Sequence, residues 1–202
     1  MNSPEAKPVC PAEWKEAKKA REELIGLAGT ARQPAATAAA AAVMAQAECE
    51  QRKFAAWRIE AGSQAIMASE LRGARRQYLS ICTLYEEAAG YADPVTSVGA
   101  WARLADLHLG FVRMLDGLPV PVDVHDPAAR ADFRRQMREL MSTFEIEATL
   151  AATRALDAAG REPGQSDAQL AGWVRASCEK LAVLDPSSLP TYPACAGAGE
   201  SQ

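Results

Sequence analysis

The two histidines, His108 and His125, are the only residues of this sequence that could serve as a histidine base or a histidine metal ligand. His108 stands four residues after Leu104, three before Phe111 and next to Leu107, which is typical of a histidine that packs on a helix. His125 follows a loop with two prolines. No second histidine stands at zinc-ligand spacing, and no Glu-x-x-His arrangement of the di-iron type occurs. We therefore predict no metal site.

Two pairs of acidic residues could in principle share a proton or a metal ion: Glu86 with Glu87, and Glu145 with Glu147. Residues one or two positions apart on a helix point in different directions, so neither pair is expected to act as a unit. The sequence has no phosphate-binding loop, no glycine-rich dinucleotide turn and no Gly-x-Ser-x-Gly motif. We predict that the protein is not an enzyme and has no catalytic residues and no cofactor.

The five cysteines are Cys10, Cys49, Cys82, Cys178 and Cys195, and no two of them have CxxC spacing. Cys10 and Cys195 lie in proline-flanked end segments, where a disulfide would hold a chain terminus in place. The candidate pairs are Cys10 with Cys49 and Cys178 with Cys195. This pairing would leave Cys82 as a buried thiol on the apolar face of its helix. The sequence alone leaves the oxidised and reduced forms both open.

A basic face is predicted on one long helix, where Arg130, Arg134 and Arg138 recur at steps of four residues. These arginines are the candidate partner-binding residues, since they could bind an acidic surface. The simpler interpretation is that they pair with neighbouring acids such as Asp132 and Glu139.

Helices must position these side chains, because alanine dominates the composition, aromatic residues make up 6%, and β-branched residues are sparse. The fold class is therefore all-α. From Ala74 to Val124 the pattern predicts two amphipathic helices that face each other, with Asp93 as the cap and Pro94 as the first residue of the second helix. Their apolar stripes are Tyr78, Ile81, Cys82, Tyr85 and Ala88, then Trp101, Leu104, Leu107, Phe111, Val112 and Leu115.

The remaining chain divides into a flexible N-terminus at 1–10, a single all-α domain at 11–184 with a repeat-like part from about 63, and a proline-rich tail at 185–202. Helices are expected from Pro11, with Trp14 inward, to about Leu27, from Ala35 to about Gly62, from Ser63 into the hairpin, from Asp126 and Pro127 to Ala159, and from Ser166 or Asp167 onward. Gly62 and Gly73 are possible bends, so the stretch before the hairpin is either one kinked helix or two.

Charge is distributed unevenly along the chain. Residues 1–80 carry 12 Lys and Arg against 9 Asp and Glu, whereas residues 81–202 carry 10 against 17. The acidic second half argues against a nucleic-acid partner. No apolar run is long enough to span a membrane. No secretory signal is visible at the first residues, although a methionine placed before a mature region would look the same.

The hairpin has Trp101, Leu104, Ala105 and His108 at the aromatic, leucine, small and tyrosine-like positions of a tetratricopeptide repeat. The longer run from Tyr78 to Pro193 contains YADP, AWARLADLHLGFVRML, the loop LPVPVDV, a long Glu/Arg-rich helix, a Trp-containing helix and TYP. This order resembles the C-terminal region of myxobacterial tetratricopeptide-like envelope proteins, including those of the adventurous gliding-motility machinery. The resemblance implies a periplasmic or outer-membrane-associated scaffold whose partners are other envelope proteins.

Two functions follow as hypotheses. The first is a non-enzymatic scaffold of antiparallel helical hairpins, stacked like tetratricopeptide repeats, that presents a groove to another protein of a cell-envelope assembly, with gliding motility as one such assembly. The alternative is a helical bundle that binds a hydrophobic ligand or acts as a periplasmic chaperone. An apolar pocket between Ala35–Val43 and the hairpin would favour the alternative, and a groove lined by Trp, Tyr and Arg would favour the scaffold.

Overall fold

The computed structural model describes residues 10–91, 93–161 and 168–196. These residues contain no β-strand, which confirms the all-α prediction, and none of their helices is both long and apolar enough to cross a membrane. The α-helices are α1 (Pro11–Leu24), α2 (Arg32–Phe54), α3 (Gln64–Gly90), α4 (Pro94–Asp116), α5 (Pro127–Gly160) and α6 (Ala168–Leu184). Short 3₁₀ helices occupy Gly29–Ala31, Pro186–Thr191 and Pro193–Cys195.

As predicted, α4 and α5 each begin with an aspartate cap followed by a proline. The Asp93 carboxylate accepts a hydrogen bond from the Thr96 amide at 2.9 Å, and the Asp126 carboxylate accepts one from the Ala129 amide at 2.8 Å. In both helices proline occupies the first position, where no intrahelical partner exists for an N–H group. These two local signals fix where α4 and α5 begin.

The predicted end of the second helix is wrong, because α2 ends at Phe54 rather than near Gly62. The Arg58 guanidinium donates to the carbonyl oxygens of Ala55 and Trp57, both at 2.8 Å, and so bonds groups that a continuing helix would use itself. The Trp57 ring then lies over Gly73, within 3.6 Å of the position a β-carbon would take. Gly73 is therefore a packing site inside an unbroken α3, not a bend.

The first helix differs from its prediction in two details. It ends at Leu24 rather than near Leu27, and Gly26 follows with a φ of +84°, a conformation that favours glycine. Trp14, expected on the buried side, is 41% exposed, and the Lys18 ammonium lies 5.5 Å from its ring centroid.

The chain ends are partly described. Cys10, assigned above to a flexible N-terminus, is buried, and the start of the proline-rich tail is ordered in 3₁₀ turns that pack on α6. The expectations for residues 1–9, for the start of the last helix at Ser166 or Asp167 and for residues 197–202 lie outside the described residues.

The helices pack in two layers. Each helix contacts the next along the chain, and in addition α2 contacts α4 and α4 contacts α6. Contacts among α1, α3 and α5 are sparser in the described ranges, and Arg21 with Glu87 and Tyr78 with Phe144 are examples. The even-numbered helices therefore lie closer together and form one face, which we call the inner face.

The hairpin stripes face each other as predicted. All five stripe residues of α3 are buried, and on α4 only Trp101 and Val112 remain half-exposed. Across the interface the Tyr78 and Phe111 rings stack, with centroids 4.6 Å apart. These residues belong to one core that continues from Ala17 of α1 to Cys195 near the C-terminus.

Gly99 permits the close approach of α6 to α4. A β-carbon at Gly99 would lie 2.9 Å from Nε1 and 3.2 Å from Cε2 of Trp173, distances shorter than van der Waals contact. The Arg103 guanidinium lies 4.6 Å from the Trp173 ring centroid, at a distance suited to a cation–π contact. The absent side chain of Gly99 thus lets Trp173 reach Arg103.

We expect Gly99→Ala to lower the free energy of unfolding by about 1–3 kcal/mol, because Trp173 must move away from the added methyl group. Urea unfolding at neutral pH measures this change. The matched control is Gly172→Ala in α6, where a β-carbon meets nothing within 4 Å. Helix propensity should make the control neutral or stabilising by up to about 1 kcal/mol. Equal changes in the two variants would contradict the packing argument.

Candidate functional site

The predicted cysteine pairs are both present. Cys10 is bonded to Cys49 with Cα atoms 6.2 Å apart, and Cys178 is bonded to Cys195 with Cα atoms 5.4 Å apart. Cys82 is the buried thiol, and burial raises its pKa to about 12. A thiol with so high a pKa is a poor nucleophile and a poor metal ligand. Two disulfides favour an oxidising, non-cytosolic compartment.

Cys10, Glu13 and Cys49 form a cluster of potential metal ligands, with ligand atoms within 4.8 Å of one another. Metal ligation by cysteine requires the thiolate. Because both sulfur atoms are joined in a disulfide, the oxidised protein does not offer this site.

His108 is a core residue, as its spacing predicted. It is 5% exposed, burial lowers its pKa to about 4, and its Nδ1 lies 2.5 Å from the Tyr78 hydroxyl oxygen. Burial also raises the pKa of Tyr78, which is 3% exposed. A neutral imidazole and a neutral phenol that share a hydrogen bond inside the core satisfy each other's polar atoms.

Glu86 and Glu87 do not act as a pair, and Glu145 and Glu147 are both exposed. Glu87 accepts two hydrogen bonds from the Arg21 guanidinium, at 2.6 and 2.7 Å, and a third from the Tyr91 hydroxyl at 2.6 Å. The hydrogen bonds from Arg21 lower the pKa of Glu87, and those to Glu87 raise the pKa of Arg21. Glu86 is exposed one position away. Glu87 therefore ties α3 to α1.

The predicted basic face on α5 is solvent-exposed. Arg130, Arg134 and Arg138 are all exposed, and Arg134 donates to the Leu118 carbonyl oxygen at 3.1 Å. The local ion pairs with Asp132 and Glu139 form instead at Arg135, at 3.0 and 3.8 Å. Exposed pairs of this kind contribute little to stability. None of these three arginines lines the cleft described below.

A cleft of about 580 Å³ lies on the inner face, along α4. Its α4 residues recur at steps of three and four and so form a single stripe, which we call the α4 stripe. The stripe consists of Arg103, Asp106, Leu107, Gly110, Arg113 and Met114 of α4 together with Gly117, the residue that follows the helix. The volume falls in the range of about 300–1,000 Å³ that ligand sites occupy.

The opposite wall comes from the end of α2 and the connector that follows it. It contains Gln51, Phe54, Ala55, Trp57, Arg58 and Ile59, and Leu118 closes the far end. α2 ends at Phe54, and the connector that follows it places Trp57 and Arg58 beside the α4 stripe. The Gln51 side chain is held by a hydrogen bond from the Tyr85 hydroxyl.

Two of the charged groups in the cleft are already paired. Arg103 lies 3.2 Å from Glu48 of α2 and 3.7 Å from Asp106. Asp106 in turn lies 3.0 Å from the ammonium of Lys180, which is 12% exposed on α6. This network links α2, α4 and α6 and fixes one end of the cleft.

Unlike Arg103 and Asp106, Arg58 and Arg113 form no ion pair in the described part of the chain. Arg58 donates only to backbone carbonyl oxygens, and within the described residues neither arginine has a carboxylate within salt-bridge distance. The cleft therefore holds two uncompensated positive charges in a chain whose net charge is −4. Such a local reversal of sign favours a negatively charged ligand.

No family model, curated protein or solved structure matches this chain. The resemblance to tetratricopeptide-like envelope proteins therefore stays a prediction.

Sequence reasoning missed the cleft. Arg103, Asp106, Gly110, Arg113 and Gly117 do recur on one face of the predicted helix, next to the apolar stripe, and this second stripe was an available signal. Nothing local in the sequence indicates that Trp57 and Arg58 complete the site, since they lie in the connector after α2, where a longer helix was predicted.

Proposed function

We propose that this protein is a non-enzymatic helical scaffold that binds another protein at the cleft. The observation that carries the proposal is a groove between α2 and α4 that combines Trp57 with Arg58 and Arg113. Tryptophan and arginine dominate the energetic centres of protein interfaces, because one offers a large rigid apolar surface and the other offers several donors. The layered helices support the proposal, since stacked hairpins leave an extended face for a partner.

The position of the cleft favours a scaffold over a hydrophobic-ligand carrier. The carrier hypothesis required an apolar pocket beside Ala35–Val43, but the cleft lies at the other end of α2. Ala36, Ala39 and Ala40 are buried, the last two completely. Alanine at these positions serves close helix packing rather than a cavity wall.

We further propose that the scaffold works in the cell envelope, in the periplasm or at the outer membrane, where its partners are other envelope proteins. The two disulfides support this placement, because oxidising compartments maintain such bonds. The resemblance to gliding-motility proteins extends the proposal to that machinery.

Site-specific photocrosslinking in the native cell tests the proposal. Met114, half-buried in the cleft, is replaced by p-benzoylphenylalanine, and Val183, 74% exposed on α6, is replaced in a control. We expect a discrete adduct with one partner from position 114 only, and its loss when Gly110→Leu is added to fill the cleft.

Two outcomes would overturn the proposal. The first is the absence of any adduct from position 114 or equal adducts from both positions. The second is an adduct between two copies of this chain, which would indicate self-association.

A further inference from the structure

The length of the α4 stripe distinguishes the cleft from a compact ligand pocket. The stripe runs from Arg103 to Gly117, which are 14 residues apart on the helix and thus about 21 Å along its axis at 1.5 Å per residue. An extended polypeptide advances about 3.3 Å per residue, so about six residues would follow this track. A small ligand would leave much of the α4 stripe uncovered.

Gly110 lies in the middle of the stripe and has no packing reason to be glycine. A β-carbon there would meet only Nη2 of Arg113, at 3.9 Å, whereas Gly99 is in contact with Trp173. A glycine inside a helix is less favourable than alanine by about 1 kcal/mol. Because Gly110 has no side chain, the surface of α4 is recessed here, and the backbone of a bound chain can approach the helix closely.

The cleft combines charged and apolar groups. Arg58 and Arg113 are the two unpaired cations, and Trp57 and Met114 provide the neighbouring apolar surface. Guanidinium groups bind carboxylates through paired hydrogen bonds. A nucleic acid would need a larger basic surface than two free arginines in an acidic chain.

We propose that the cleft binds an extended acidic segment of a partner protein, about six residues long, with carboxylates at Arg58 and Arg113 and an apolar side chain between Trp57 and Met114. This inference rests on the proposed scaffold function and names the chemistry of the segment that the scaffold holds. The Gly110 position lies beneath the backbone of the bound segment.

Fluorescence polarisation tests the inference with three labelled hexapeptides at low ionic strength: Asp-Phe-Asp-Glu-Leu-Glu, its basic counterpart Lys-Phe-Lys-Lys-Leu-Lys, and Asp-Ser-Asp-Glu-Ser-Glu, which keeps the charge without apolar anchors. We expect saturable binding of the first peptide, at least tenfold weaker binding of the other two, and weakening with added salt.

Two pairs of variants locate the binding. Arg113→Ala should weaken binding of the first peptide about tenfold, the equivalent of one lost charged contact, whereas Arg175→Ala at an exposed position of α6 should leave binding unchanged. Gly110→Leu should abolish binding by filling the track, while Gly172→Leu on α6 should not. Circular dichroism and thermal unfolding verify that all four variants remain folded.

The inference fails if the basic peptide binds as well as the acidic one, or if the cleft variants bind like their controls. It also fails if laurate, a small apolar carboxylate, displaces the peptide at far lower concentration than the unlabelled peptide does, since that would indicate a ligand carrier. If none of the peptides binds but position 114 still forms its adduct, only the proposal of an acidic segment is rejected. Failure of both experiments rejects the scaffold function as well.

Discussion

Removal of both disulfides is expected to lower the free energy of unfolding by about 7 kcal/mol, which would leave the protein mostly unfolded or marginally stable at 37 °C. The cysteines are separated by 39 residues in the Cys10–Cys49 pair and by 17 in the Cys178–Cys195 pair. The chain entropy that each bond removes from the unfolded state corresponds to about 4 and about 3 kcal/mol. A domain of ordinary stability has only about 5–15 kcal/mol in total.

The measurement uses urea unfolding of three variants: Cys10→Ala with Cys49→Ala, Cys178→Ala with Cys195→Ala, and all four together. Alanine avoids placing a hydroxyl group at four buried positions. We expect removal of the Cys10–Cys49 bond, which closes the longer loop, to give the larger loss of unfolding free energy. The control is Cys82→Ala, which removes a buried thiol but no cross-link and should cost less than either pair.

Thiol titration gives an independent measurement of the same bonds. The native protein should show no fast-reacting thiol, because Cys82 is buried and its pKa is about 12. Denaturant alone should reveal one thiol, and denaturant with reductant should reveal all five cysteines. Five thiols without reductant, in protein isolated from its own compartment, would remove the basis for an envelope location.

The sequence predicted the features that depend on short spacing. The Asp93 and Asp126 caps each act within three residues, and the apolar stripes of α3 and α4 follow the helical period. The proline-flanked end segments also indicated the two candidate cysteine pairs, although the sequence left open whether the bonds form. These signals suffice for the all-α class and for the hairpin at the centre of the chain.

The cleft depended on contacts that no local pattern records. The Trp57 ring packs on Gly73, 16 positions later in the sequence, and Arg58 bonds the carbonyl oxygens of Ala55 and Trp57 just after the end of α2. Helical periodicity predicts a longer α2 at this point and so does not predict that the connector lines a cleft. The regular spacing of the exposed α5 arginines predicts a binding face there, whereas the role of Arg113 depends on Trp57 and Arg58 in the opposite wall of the cleft.

The second large effect is expected at Phe111, where Phe111→Ala should lower the free energy of unfolding by about 4 kcal/mol. Phe111 is 1% exposed, and its ring meets one aromatic ring from each of three other helices. The centroid distances are 4.6 Å to Tyr78 of α3, 4.7 Å to Phe144 of α5 and 6.1 Å to Phe54 of α2. Truncation would leave a cavity where four helices meet.

Urea unfolding measures the loss, with Phe111→Leu and Phe133→Ala as controls. Leucine keeps most of the volume and should cost about 1.5 kcal/mol or somewhat more. Phe133 is only half-buried at the periphery of the core, so its truncation should also cost less than that of Phe111. A double-mutant cycle of Phe111→Ala with Phe144→Ala should show a coupling of about 0.5–1.5 kcal/mol, because the two rings pack edge to face. Additive losses would contradict a shared cluster.

The same aromatic cluster predicts how the protein unfolds. In a simple repeat array each unit contacts only its neighbours, so unfolding can proceed from one end. Here Phe111 joins α2, α3, α4 and α5 in one contact set, and the disulfides tie α1 to α2 and the C-terminal segment to α6. We therefore expect a single transition with coincident far-ultraviolet circular dichroism and tryptophan fluorescence, and two separate transitions in Phe111→Ala would place the weak point at α4.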